Sequence, residues 1–164
     1  MKTIFLALLV CLFPAGVFAQ VLTETQKIDE FGVLYCCDFG ARMNNAAGAQ
    51  HANPGSQIYL VFYNGPLNGL RWNARLKKHD VGPVNPVRGE FRGFVAGAMK
   101  QIAFQRLNKE AFVIKDGGFR ESLTVEIWIV PSGGAPPVIT PTMDEKSIRY
   151  RKGRPHFSNL CDEM

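Results

Sequence analysis

The residue pattern predicts an α/β class, an α+β sandwich: a mixed sheet of about four strands with two helices packed on one face, in the order β-α-β-α-β-β. Three observations carry that expectation. The stretch QIYLVFY (57–63) is apolar on both alternating faces, as a central strand covered on both sides would be. The stretch LTVEIWIV (123–130) alternates strictly, with Leu123, Val125, Ile127 and Ile129 on one face and Thr124 and Glu126 on the other. Two further segments repeat apolar residues at helical spacing: Phe39, Met43, Ala46 and Ala47, and then Phe91, Phe94, Val95, Ala98 and Ile102.

In chain order, Met1–Ala19 reads as a secretory signal peptide. Lys2 precedes an apolar run of Ile4–Phe13, and Val17-Phe18-Ala19 suits cleavage before Gln20. The run is about half the roughly twenty residues needed to span a bilayer, so an anchor is disfavoured and no transmembrane segment is expected in the mature chain. EFGVLYCC (30–37) reads as the first strand, and Asp38 as the cap of a helix over 39–52. Asn53-Pro54-Gly55 stops that helix, and Asn64-Gly65-Pro66 breaks the central strand after 63. Leu67–Asn85 reads as a long basic loop rich in Gly and Pro, with Trp72 and Leu76 spaced for a short helical turn. Asn85-Pro86 suits a helix start, with Asn as cap, and the helix is expected to run to about Phe104. Ala111–Lys115 reads as a short strand, Asp116-Gly117-Gly118 as a turn, and 111–115 with 123–130 as an antiparallel hairpin. The α/β domain then covers 20–130. PSGGAPPVITPT (131–142) has no periodicity and is expected as an extended linker, followed by a charged tail over 143–164.

Charge and cysteines set the compartment and the partners. The formal charge is +5, and it falls to +4 when the leader and its single Lys2 are removed. The surplus lies in Arg71–Lys78 and Lys146–Arg154, which favours anionic polymers or membrane surfaces as partners. Export makes nucleic acid an unsuitable target. Of the four cysteines, Cys11 leaves with the leader, and Cys36, Cys37 and Cys161 remain. A disulfide is the default fate of cysteines in an oxidising compartment. A free thiol, an intermolecular bond or a metal site are the other fates. A zinc site is disfavoured because His51, His79 and His156 are scattered. On a strand, Cys36 and Cys37 point to opposite faces, so only one can meet Cys161. Cys37, at the strand end, is the expected partner.

Catalysis is not expected. There is no G-x-S-x-G elbow, no H-E-x-x-H and no phosphate-cradling Gly-rich loop, so no cofactor, metal or catalytic residue is assigned. Asp80 and Asp116 have no readable partner carboxylate, and Asp116 is expected to shape its turn. Arg120 and Glu121 read as a surface pair. The binding candidates are Arg71, Trp72, Arg75 and Lys78, a Trp among cations just beyond the central strand, where α/β sheets place ligand loops.

The order of elements, with ANPGSQIYLVFYNG and FVAGAMKQIAFQRLNKEAFVIKDGG at the second strand and second helix, resembles the OmpA C-terminal domain family over about 30–130. The resemblance implies periplasmic or envelope localisation and non-covalent binding of peptidoglycan. In that family an Asp after the second strand and an Arg on the second helix hold the diaminopimelate of the stem peptide. Here NGPLN (64–68) carries no acid, and Arg92 is the approximate match for the helical Arg. The resulting expectation is an exported, non-catalytic binding domain of the bacterial cell envelope, contacting peptidoglycan or another anionic polymer. The alternative is a secreted protein-interaction module that has lost the clamp.

Overall fold

A computed structural model describes residues 22–32, 36–73 and 75–153. The leader at 1–19, Cys161 and the end of the charged tail lie outside them.

The fold is α+β, with a mixed four-stranded sheet and two α-helices. Strand β1 is Gln26–Phe31 and helix α1 is Cys36–Ala52; strand β2 is Gln57–Asn64, and the ribbon strands are β3, Leu67–Asn73, and β4, Lys78–Val84. Helix α2 is Glu90–Phe104, β5 is Phe112–Phe119 and β6 is Thr124–Val130. The sheet order is β1-β6-β2-β5, antiparallel except for the parallel pair β2/β5. Ile58, Leu60 and Phe62 of β2 join Val125, Ile127 and Ile129 of β6 in one core. Phe39 and Met43 of α1 and Phe94, Ala98 and Ile102 of α2 close it. That is the helical face of the sheet, built from the apolar stripes and alternation that the sequence displays.

Four expectations about the elements are corrected. The first strand is 26–31 rather than 30–37, and Cys36-Cys37 open α1 rather than end a strand. The premise that they alternate across a strand therefore fails, and the Cys37–Cys161 pairing lies outside the described residues. The stretch 67–85 is neither loop nor helical turn but the antiparallel ribbon β3–β4, in register Leu67↔Val84 through Asn73↔Lys78. Helix α2 starts at Glu90, not at Pro86, because Gly89 sits at φ 85°, a left-handed conformation that no helix can pass through.

The fourth correction concerns β5 and β6, which do not form a hairpin. Both pair with β2, one on each side. A parallel partner needs a crossover, and α2 supplies it between β2 and β5. Asp116-Gly117-Gly118 is consequently not a turn between strands but an irregularity inside β5, where the register shifts from Phe62↔Asp116 to Tyr63↔Gly118. Gly117 is required there: a Cβ would lie 2.6 Å from the Tyr63 ring. The Asp116 Oδ1 still shapes this bend, accepting the Gly118 N–H at 2.9 Å.

The other sheet face is covered by the chain's own continuation. Residues 131–142 have no regular structure, but they run across the sheet as a strap. The Thr25 hydroxyl donates to the Ala135 carbonyl, and the N–H groups of Thr142 and Met143 donate to the Phe119 carbonyl at 3.0 and 3.1 Å. Tyr59, Val61 and Tyr63, on the face away from the helices, are all buried. Beyond the strap the segment 143–151 continues to the start of α2, where the Arg151 N–H donates to the Pro86 carbonyl at 3.1 Å and Ile148 is buried.

Candidate functional site

A cleft of about 270 Å³ opens where the parallel strands β2 and β5 end and α2 begins. Its walls come from four parts of the chain. Asn64 closes β2, Arg88 and Arg92 flank the first turn of α2, Asp116 stands at the β5 irregularity, and Glu145 and Tyr150 come from the C-terminal segment. Open α/β sheets place ligand sites at the carboxyl ends of strands because the loops there are released from the ladder.

The local structure explains each placement. Gly89 turns the chain and the Glu90 carboxylate accepts the Val87 N–H at 2.8 Å. A buried carboxylate in the first turn complements the positive helix end and closes the 87–90 turn on which Arg88 sits. Arg88 stacks on the Tyr150 ring, 4.6 Å from its centroid, and lies 3.7 Å from the Glu145 carboxylate, which accepts the Tyr150 hydroxyl at 3.1 Å. Burial, followed by Glu145, pushes the Tyr150 phenol above its usual range. The cleft is thus lined by two guanidinium groups and three carboxylates, of which Glu90 is taken up by the Val87 N–H and Asp116 and Glu145 remain beside the arginines' space. Such a set suits a ligand carrying both a carboxylate and an ammonium, since charge-assisted hydrogen bonds of each sign become available.

A second polar cluster lies on the strap side of the sheet. The Glu126 carboxylate is buried and accepts from Trp128 Nε1 at 3.0 Å, Arg120 Nη2 at 3.0 Å and the Tyr63 hydroxyl at 3.2 Å. Burial opposes its ionisation, but the bonds from Trp128, Arg120 and Tyr63 outweigh it and hold the carboxyl below its usual range. The Arg120 guanidinium stacks 3.5 Å over the Tyr63 ring and donates to the Thr140 hydroxyl at 2.7 Å and carbonyl at 3.2 Å. Arg120 is thus paired with Glu126 across β6, not with Glu121, whose carboxylate takes the Thr142 hydroxyl. Arg120 Nε and Nη2, Trp128 Nε1 and the Tyr63 hydroxyl are committed to the strap or to Glu126, so this cluster is a latch.

The sequence-derived candidates divide between two places. Arg92 lines the cleft. Arg71 and Trp72 lie on β3, opposite Asp80 and His79; Lys78 begins β4, and Arg75 belongs to the connection between the strands. Arg88, Glu145 and Tyr150 were not readable as site residues, because Arg88 meets its partners in a segment about sixty residues downstream. Asp116 was legible as an acid near a loop; its place in the cleft that Arg92 also lines depends on β5 pairing with β2. Among the described residues no group of three or more His, Cys, Asp or Glu could hold a metal ion, and no helix is long and apolar enough to cross a membrane. No family model, curated protein or solved structure matches the chain.

Proposed function

We propose that this chain is an exported, non-catalytic binding domain of the bacterial cell envelope. Its cleft would take the amino-carboxylate end of a peptidoglycan stem peptide. One observation carries the reading: Arg92 and Asp116, an Arg on the second helix and an acid at the sheet end, line the same cleft. The element order gives further support, because a helix crossing between β2 and β5 sets that Arg beside the strand ends. The acid missing from 64–68 is then replaced by one from the neighbouring parallel strand. Guanidinium would meet the ligand carboxylate and Asp116 its ammonium.

Co-sedimentation with purified sacculi tests the proposal. The parent chain should bind, and Arg92→Ala or Asp116→Asn should each weaken binding by about tenfold or more, the worth of one charged hydrogen bond. Binding that ignores both changes would place the ligand elsewhere. A parent chain that leaves sacculi untouched would favour the alternative of a protein-interaction module without a polymer ligand.

A further inference from the structure

The β3–β4 ribbon stands apart from this cleft. Its two strands pair only with each other, not with the four-stranded sheet. The base is fixed: Leu67 packs against the core, and the Pro66 carbonyl accepts the Leu123 N–H at 2.9 Å. Each strand has seven residues, so the tip lies roughly 20 Å of extended chain from that base. The whole stretch from Leu67 to His79 contains Arg71, Arg75, Lys77 and Lys78 and no acid.

The tip has a specific composition. Residues 75–78, Arg-Leu-Lys-Lys, are all exposed, and Leu76 keeps 53% of its surface open. Lys77 sits at φ 48°, a left-handed position where glycine would fit without steric cost. A cation is therefore held at the bend in a conformation that does not favour it. A residue held in this way is a place to look for function, since the strained bend keeps the cation at the tip.

We infer that the ribbon tip is a membrane-surface contact that takes anionic lipid, with Lys77 and Lys78 on the headgroup phosphates and Leu76 in the acyl boundary. Cations alone would suit any polyanion. A leucine set between them gains nothing from a hydrated polymer, yet it gains from the apolar edge of a bilayer. The ribbon supplies reach, since the tip can touch a surface without the sheet or the cleft approaching it. The inference is independent of what the cleft holds.

The test is co-sedimentation of the full chain with vesicles of phosphatidylglycerol mixed into phosphatidylcholine, against phosphatidylcholine alone. Binding should require the anionic lipid and should fall as salt is added. Lys77→Gly with Lys78→Ala should lower partitioning by about 25-fold, from roughly a fivefold loss per cation removed. Leu76→Ser should lower it by about tenfold, the effect of withdrawing most of a leucine from the boundary. All three positions are exposed, and unchanged circular dichroism would show that the variants fold. Absence of binding to the anionic vesicles, or binding indifferent to both variants, would overturn the inference. So would a result in which Leu76→Ser is silent and soluble polyglutamate competes fully, because that describes a site for hydrated polyanions.

Discussion

Glu126 lies on the strap side of β6 with 3% of its surface exposed, and four side chains converge on it: Trp128, Arg120, Tyr63 and, at 3.6 Å, the Lys27 ammonium. A carboxylate taken out of water is tolerated only when its lone pairs are filled in this way. Arg120 answers two needs, because the same guanidinium that neutralises Glu126 also holds Thr140 of the strap. Arg120→Ala should therefore cost about 3 kcal/mol in denaturant unfolding, the penalty of leaving a buried charge short of its partner. The pH dependence follows in sign. The folded carboxyl of Glu126 is held below its ordinary value, so its contribution is present above about pH 4.5 and disappears as pH falls through the lower folded value. Glu126→Gln should lower stability at neutral pH, and the gap from the parent should narrow in acid. A gap of constant size from pH 7 to pH 3 would show that the ionised form contributes nothing.

Among the elements, helix α2 and the C-terminal segment decide where the site stands. Gly89 delays the helix to Glu90, and the four residues before it become a turn that carries Arg88 toward Tyr150. The segment 143–151 is held by scattered contacts rather than a ladder: the Met143 N–H bonds the Phe119 carbonyl, Glu145 and Tyr150 meet the exposed Arg88, Arg151 bridges Val87 and contacts Pro86 and Asn85, and Ile148 is buried. Elements so held open locally at low cost. Ile148→Asp should release 143–151 to proteolysis and hydrogen exchange while leaving the melting of the four-stranded sheet within a few degrees of the parent. Cooperative loss of the whole sheet in that variant would make the segment part of the core instead. The strap at 131–142 is held more firmly, since Thr140 accepts two hydrogen bonds from Arg120 and its N–H donates to the Tyr63 hydroxyl at 3.2 Å, so the two parts should separate in exchange rates.

For the molecule as a whole, the basic ribbon, the mixed-charge cleft and the strap are three surfaces on one frame. The fold class and most of that frame were legible in the sequence. Phe39, Met43, Phe94, Ala98 and Ile102 announce two helical stripes, and Leu123 to Ile129 announce a strand face, because each pattern reports which side of its own element is apolar. The double-sided apolarity of 57–63 even signals that β2 is covered twice. What covers its second face was not legible: a proline-rich stretch without periodicity carries no pattern that points at Tyr63. Alternation along 123–130 puts Glu126 on the face away from the helices, which is where it lies, and the strap then buries that face. The pairing of β5 with β2, which brings Asp116 to the cleft lined by Arg92, was hidden for a related reason. Adjacent strands joined by a Gly-Gly step look like a hairpin locally, and only the crossover of α2 makes the parallel pair available. Hydrophobic periodicity, a local property of consecutive residues, announces the two helices, β2 and β6 with their buried sides, but it misplaces β1 and leaves the β3–β4 ribbon unread. Strand neighbours, the latch and the cleft arise only in the folded chain, since strand order and the path of an irregular segment depend on contacts between residues far apart in sequence.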